Sequence, residues 1–390
     1  MISKRGIFMK VIALDLLMLC FSINVSIVGQ MFNSIKTSYQ LSYSQASLLL
    51  SVQSVGGLTL AIISILLIDM LNKSRFLTVC GLLISLLVGL VGTQPPFIIL
   101  FMIFIGLGFA GGAINTLTNP VMVETVPKNS ERYINFMHMI FSLGAVLTPL
   151  ISQIIYADYG LPGVFFIFGG FASICAGYAY LVFYMKRQKN KVKKDRETKR
   201  RIREAFDTFR VQEIRYIFVI AILITSWQLS SIYYISSYFK ELSNDGLKGA
   251  LALSIFFLGM MVSRLVFSKF ADRLEAKRVL AVSNFIGAVV WVMIFIVDGF
   301  MLKLVLVGIS AACCANNFPI VFSKACHAVP EKMAAASGFV TLGYYVAIFV
   351  LIPLIGSLGD LVGMRWALPL IAIFLILVIP FANKLSLSNG

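Results

Sequence analysis

The chain has 390 residues, of which 59% are hydrophobic and only 13% are charged. Soluble domains carry about 25% charged residues, so this composition indicates an integral membrane protein. A membrane-spanning helix needs roughly 20 apolar residues, and the chain can hold twelve of them with short loops. The alternating strands of an outer-membrane barrel are absent, so the sequence predicts an all-α membrane protein.

The net charge of +16 is concentrated in particular segments. Twelve of the 33 Lys and Arg residues lie in the single run Lys186 to Arg210, and most others fall in alternate loops. This is how basic residues are distributed in cytoplasmic loops, where they also attract anionic membrane lipids. The distribution argues against nucleic acid as a partner. It predicts that both termini are cytoplasmic and that the protein lies in the cytoplasmic membrane.

Hydrophobic runs predict twelve spans. Met1 to Cys20 begins like a signal peptide, but its apolar character continues through Val28 without a clear cleavage site, so we expect it to be retained as the first span. The predicted spans are 8–32, 45–70, 76–93, 98–123, 133–156, 163–185, 214–238, 248–270, 279–297, 302–325, 334–358 and 365–383.

The two halves of the chain align when the sequence is shifted by 203 or 204 residues. LLIDMLNKSR at 66–75 falls on KFADRLEAKR at 269–278, and TPLIS at 148–152 falls on IPLIG at 352–356. A parallel repeat of six spans is typical of one transporter architecture. The predicted domains are an N-terminal six-helix bundle at 1–185, a basic cytoplasmic linker at 186–212 and a C-terminal six-helix bundle at 213–390.

This pattern resembles the major facilitator superfamily over essentially the whole chain. In that superfamily an aspartate followed by basic residues marks the loop between spans 2 and 3, and here the usual glycines of this loop are missing. The resemblance implies a cytoplasmic latch that stabilises one of two rocking states, with simple loop solvation as the alternative. The latch residues would be Asp69, Lys73, Arg75, Asp272, Arg273, Lys277 and Arg278, joined by Glu124.

Polar residues cluster in predicted spans 4 and 5. Asn115 and Asn119 are four residues apart and share a helical face with Gly108, Gly111 and Gly112. Small residues allow a neighbouring helix or a ligand to approach closely. Asn135 and His138 form a second polar face in span 5. Both faces are open to two interpretations: hydrogen bonding between helices, or contact with a substrate. For His138, a role as a titrating group is a further alternative.

The second half repeats this chemistry. Asn316, Asn317 and Pro319 echo span 4 at nearly the repeat offset, and span 7 carries Trp227 and Gln228 among several hydroxyl groups. An aromatic face can cover the apolar surface of a sugar while amides bind its hydroxyl groups, so these residues suit a neutral polyhydroxylated ligand.

The motifs TNPVMVETVP, YINFMHMIFSLGAVLTP and NFPIVFS are similar to the fucose–proton symporter group of the superfamily. The resemblance implies a central sugar-type site and alternating access by two rocking halves. It does not carry over the proton chemistry, because Asn115 stands where that group has its proton-carrying glutamate. Asp15 in span 1 is the remaining deep acid and the candidate for ion coupling, with an ion pair to Lys10 or contact with a nearby helix end as the alternative. Arg264 near the inner end of span 8 is expected to extend toward the membrane surface.

No nucleotide-binding, metal-binding or nucleophile–base motif is present, so the sequence predicts no enzyme activity and no cofactor. It predicts a secondary active transporter for a small polar solute, either a sugar or a polyol-like compound, that works as a monomer. Proton coupling, sodium coupling and no coupling stay open. Export of drugs or of an amphipathic, lipid-like metabolite is the second hypothesis, and a membrane-bound enzyme is a remote third.

Overall fold

The computed structural model describes residues 4–67, 72–127, 130–184, 207–267 and 275–385. All regular secondary structure in these ranges is helical. Eleven of the described helices are long and apolar enough to cross a membrane, and one of them contains two spans. The predicted all-α fold class with its twelve spans is therefore confirmed.

The helices follow the predicted spans closely. Spans 1 to 4 are Lys4–Ser38, Tyr43–Leu67, Lys73–Gly92 and Phe97–Thr125, and spans 5 and 6 lie in Ser130–Tyr184. Spans 7 to 9 are Gln212–Ser243, Gly246–Phe267 and Ala276–Ile296. Span 10 consists of Phe300–Cys314 and Asn317–Ala328. The 3-10 turn Pro330–Lys332 precedes span 11, which consists of Met333–Val346, Ala347–Leu351 and Ile352–Val362. Span 12 consists of Met364–Leu370 and Ala372–Ala382.

Gly160 separates spans 5 and 6. Its backbone has φ 62° and ψ −166°, a combination that is open almost only to glycine. Pro162 follows two residues later and has no N–H to continue the preceding helix. The break falls inside the gap that the sequence predicts between residues 156 and 163.

Prolines interrupt spans 10 and 11. Pro319 lacks an N–H, so the carbonyl oxygen of Ala315, four residues earlier, loses its helical partner. Pro353 frees the carbonyl of Phe349 in the same way, beside the π-helical turn Ala347–Leu351. The hydroxyl of Ser51 donates to the Phe349 carbonyl at 3.1 Å. Such irregular backbone is tolerated inside a membrane only where other groups satisfy it.

The chain divides into two compact units. Unit 1 comprises Met1–Ile35 and Val52–Asp195, and unit 2 comprises Lys36–Ser51 and Arg196–Gly390. The segment that connects spans 1 and 2 thus packs with unit 2. The sequence-based division, which assigned all of 1–185 to the N-terminal bundle, did not predict this exchange. Most of the predicted basic linker at 186–212 lies outside the described residues.

The connecting segment Lys36–Ser51 is fixed to unit 2 through the first turn of span 2. The N–H groups that begin a helix have no partner within that helix. Here the carboxylate of Asp360 in span 11 accepts from Tyr43 N at 2.6 Å and from Ser44 N at 2.8 Å. The hydroxyl of Tyr43 also donates to the carboxylate of Glu241 at the end of span 7.

Span 7 lies at the centre of unit 2. The side chains of Ile217 and Ile220 are fully buried, in one apolar cluster with Val321 of span 10, Val340 of span 11 and Val378 of span 12. Burial of aliphatic side chains of this size stabilises a fold by about 1.5–3 kcal/mol each in water, whereas in a membrane close packing supplies the attraction.

Candidate transport site

The small residues of span 4 support a close helix contact in unit 1. A Cβ atom at Gly108 would lie 1.7 Å from the carbonyl oxygen of Gln53 in span 2. A Cβ atom at Gly56 would lie 1.9 Å from the carbonyl oxygen of Ile105. Neither position can accept a side chain unless the two helices separate. The glycine at 108 therefore serves packing between spans 2 and 4.

Buried polar atoms without a hydrogen-bond partner concentrate on spans 1, 2 and 4 of unit 1. Among the described residues, the unpaired amide oxygens belong to Asn24, Gln53 and Asn119. Asn24 is only 1% exposed, and its Nδ2 would lie 3.5 Å from a Cβ at Gly111 on span 4. A buried polar atom left unsatisfied costs about 1–3 kcal/mol, so several on neighbouring helices need an explanation. Hydrogen bonding to a polar solute provides one.

The predicted residues of spans 4 and 5 differ in how accessible they are. Asn115 and Asn135 are exposed, whereas Asn119 and His138 are half-buried. Asn115 lies well inside the 29-residue span 4, where an amide that faces lipid would be costly. Its exposed surface is therefore suited to border water or a polar ligand. The backbone carbonyl of His138 accepts from the Ser142 hydroxyl at 2.9 Å, which belongs to the helix itself.

Asp15 is buried in span 1, with a side chain only 7% exposed. Its Oδ1 has no hydrogen-bond partner in the part of the chain that the structure describes. No ion pair joins Asp15 to Lys10 within those residues, so the ion-pair alternative is not what the structure contains. One turn further along the same face, Met18 contacts span 4 through the Thr118 hydroxyl at 3.9 Å. The carboxyl of Asp15 is thus on the side of span 1 that packs against span 4.

In unit 2, Trp227 belongs to a packed aromatic group. Its ring is 1% exposed and lies 5.7 Å from the ring of Phe256 and 5.5 Å from that of Trp291. The indole N–H of Trp227 has no described partner, unlike that of Trp291, which donates to the Leu368 carbonyl at 2.8 Å. The neighbouring Gln228 is half-buried and directs its amide toward the sulfur of Met260 at 3.9 Å.

The asparagine pair at the break of span 10 is engaged by neighbouring helices. Asn317 is 3% exposed and exchanges two amide hydrogen bonds with Asn284 of span 9, at 2.9 and 3.2 Å. The amide of Asn316 donates to the hydroxyl of Ser263 in span 8 at 3.1 Å. Both asparagines therefore form hydrogen bonds between helices of unit 2, and their predicted contact with a substrate stays a prediction.

The predicted latch residues make contacts within their own units. Lys73 Nζ lies 2.7 Å from the carboxylate of Glu124, and the guanidinium of Arg75 lies 5.1 Å from the Tyr184 ring centre. In unit 2, Lys277 and Arg278 both pair with Glu275, at 3.9 and 2.6 Å. Three latch residues, Asp69, Asp272 and Arg273, lie outside the described residues.

The sequence analysis assigned no role to Asn24 and Gln53, which belong to the candidate site. Both are amides inside hydrophobic spans, and this is the same signal that indicated Asn115. No group of three or more metal-ligating side chains occurs in the described residues. All six cysteines are free.

A family model described as Major Facilitator Superfamily matches residues 14–248 and 216–385. Comparison with curated protein sequences gives no match. The following similarities are to solved structures. A bacterial homologue of the human lysosomal transporter Spinster, in an inward-facing and occupied conformation, has a TM-score of 0.79 at 14% identity, with 99% of each chain covered.

Two further solved structures share the fold. The nucleoside transporter NupG has a TM-score of 0.79 at 12% identity, with 97% of this chain and 99% of that chain covered. The fucose:proton symporter FucP of E. coli has a TM-score of 0.66 at 14% identity, with both chains covered completely. The predicted resemblance to the fucose symporter group is confirmed. At these identities the similarity establishes the fold alone.

Proposed function

Because the chain belongs to the Major Facilitator Superfamily, we propose that it is a secondary transporter that moves a small polar solute of the sugar or polyol class by alternating access. The protein is a multi-pass membrane transporter and not an enzyme. Its place would be the cytoplasmic membrane, as the distribution of basic residues predicts.

The observation that carries the proposal is the set of unpaired amide oxygens on spans 1, 2 and 4. Asn24, Gln53 and Asn119 offer hydrogen-bond acceptors, and each amide also has donors. Hydroxyl groups both donate and accept, so a polyhydroxylated solute can satisfy such a lining. Two structural neighbours support this class, since the nucleoside and fucose in their names both carry several hydroxyl groups.

Asp15 is the proposed coupling group. An ionised carboxylate without a partner is costly to bury, and a proton that binds there removes the charge. The carboxyl of Asp15 is buried, has an unpaired oxygen and lies on the face of span 1 that meets span 4. Binding and release of a proton at this position could therefore be linked to occupancy of the amide lining.

Uptake into proteoliposomes tests the proposed function. Purified protein would be assayed with radiolabelled fucose, uridine and mannitol, under an imposed proton gradient and without one, beside protein-free vesicles. We expect saturable uptake of at least one of these solutes. If none is taken up, and the protein instead exports an apolar cation such as ethidium, the proposal is wrong and the export hypothesis takes its place.

A further inference from the structure

Arg264 of span 8 reaches the interrupted middle of span 10. The two spans approach closely before this point, because a Cβ atom at Gly259 would lie 2.3 Å from the carbonyl oxygen of Gly308. From there the side chain of Arg264 extends to span 10 and donates from Nε to the carbonyl of Ala315 at 3.3 Å. This is the carbonyl that Pro319 deprives of its helical partner.

The depth of this contact differs from the sequence-based expectation. Phe300–Ala328 has 29 residues, and Ala315 is the sixteenth of them, close to the midpoint of the span. Side chains on a helix lean toward its N-terminus, which carries the head group of Arg264 away from the nearby end of span 8. The guanidinium therefore lies deep in the span, and Arg264 does not extend to the membrane surface.

The charge of Arg264 is only partly accounted for by its contacts. A guanidinium has five N–H donors, and the bond to Ala315 uses one of them. No carboxylate pairs with Arg264 among the described residues. Charged side chains inside a membrane are costly and usually pair with an opposite charge or serve function. Arg264 is half-buried, and its two Nη groups form no hydrogen bond among the described residues, so they are available to bind an anion.

The backbone around Arg264 adds to the positive potential. The second segment of span 10, Asn317–Ala328, begins beside Arg264, and no side chain caps its first turn. The beginning of a helix carries a partial positive charge, and broken membrane helices commonly direct such ends toward anionic groups. The Asn316 amide, which donates to the Ser263 hydroxyl at 3.1 Å, lies next to the same break.

We propose that Arg264 binds an oxyanion, a carboxylate or a phosphate, on the transported solute. The inference rests on the proposed function and narrows it: the solute carries a carboxylate or a phosphate group, as a sugar acid or a sugar phosphate does. A guanidinium forms two parallel hydrogen bonds with either kind of oxyanion, so both sources share the same chemistry.

Ligand-dependent thermal stability of the purified protein tests this proposal. The probes are glucose, glucuronate, glucose 6-phosphate and inorganic phosphate, with sodium chloride at matched ionic strength as the reference. We expect glucuronate or glucose 6-phosphate to raise the melting temperature of the wild type more than glucose does. The same probe should lose its effect on Arg264→Gln, whose amide can still donate to Ala315. The control Arg365→Gln removes an exposed arginine that has no assigned role, and it should respond like the wild type.

Two results would overturn the assignment: stabilisation by an anion, inorganic phosphate included, that Arg264→Gln retains in full, or no anion response in the wild type. A wild-type response to glucose only would reject the anion site but leave the proposed function standing. If Arg264→Gln does not fold, Arg264→Lys gives the answer. Lysine keeps the charge without the fork, so its affinity for the effective probe should be at least tenfold weaker, and unchanged affinity would contradict the proposal.

Discussion

Asn284 of span 9 and Asn317 of span 10 hold each other through both atoms of their amides, with Asn317 donating at 2.9 Å and Asn284 donating at 3.2 Å. Both side chains are buried, and Asn284 also donates to the Leu280 carbonyl of its own helix at 2.6 Å. The pair therefore fixes span 9 beside the break in span 10. It also explains why an asparagine follows directly after Asn316, whose amide contacts span 8 instead.

Breaking this pair on one side should destabilise unit 2. Asn317→Leu leaves the amide of Asn284 buried with fewer partners, and we expect it to lower the free energy of unfolding by about 1–3 kcal/mol. The double variant Asn284→Leu, Asn317→Leu removes both amides and should lose less than the sum of the two single variants. Thermal unfolding in detergent measures all three, and strictly additive losses would contradict the pairing.

The contact between spans 2 and 4 gives a second prediction, on stability. Gly108→Ala places a methyl group 1.7 Å from a backbone carbonyl, so the helices must separate, and we expect a loss of roughly 1–3 kcal/mol. Gly89→Ala is the matched control, because a Cβ at that helical position meets nothing within 4 Å. The control should be neutral or stabilise by up to about 1 kcal/mol, since alanine favours helix. Equal effects of both substitutions would show that Gly108 tolerates a side chain.

The positions of the spans could be predicted from the sequence to within a few residues at each end. Span 4 was expected at 98–123 and is Phe97–Thr125, because a chain in lipid must satisfy its backbone within helices and the hydrophobic run fixes their length. The interruptions within the spans were harder to predict from the sequence. Pro319 indicates which carbonyl is freed, but only the packing of span 8 on span 10 shows that Arg264 meets it.

The candidate site likewise has features that the sequence predicts and features that only the structure shows. The sequence indicated that Asn115, Asn119 and Asn317 are unusual inside spans, but it could not distinguish an amide that has a partner from one that has none. Asn317 finds its partner 33 residues away on another helix, whereas the oxygen of Asn119 has none in the described chain. That distinction depends on side-chain positions in three dimensions, which spacing along one helix does not determine.

The contrast between these asparagines is itself testable. Asn119→Leu removes an amide whose oxygen lacks a partner, so we expect little change in stability, whereas Asn317→Leu should be destabilising. The affinity for whichever solute the uptake experiment identifies should fall at least tenfold in Asn119→Leu, which corresponds to about 1.4 kcal/mol. Binding would be measured by calorimetry and stability by thermal unfolding. If Asn119→Leu unfolds easily and still binds the solute normally, Asn119 supports the fold and does not bind the solute.

The coupling role of Asp15 makes the sharpest functional prediction. Asp15→Asn keeps the shape and hydrogen-bonding capacity of the side chain but cannot take up and release a proton. If Asp15 carries the proton, the variant should lose uptake against a concentration gradient when an inside-alkaline pH gradient is imposed. Exchange of labelled for unlabelled solute without a gradient needs no net proton movement, so it should persist.

Both measurements use the same vesicles and the same solute, which separates coupling from binding. The control Asp158→Asn removes an exposed carboxylate of unit 1 and should leave both concentrative uptake and exchange unchanged. Equal loss of both activities in Asp15→Asn would assign the buried carboxyl a structural role. No loss of either would mean that another group carries the proton. If the wild type itself fails to concentrate the solute under the pH gradient, a sodium ion drives transport or the protein only equilibrates its solute. Because Asp15 has no ion-pair partner in the described residues, its neutralisation leaves no opposite charge stranded, and only the proton-carrier hypothesis predicts selective loss of concentrative uptake.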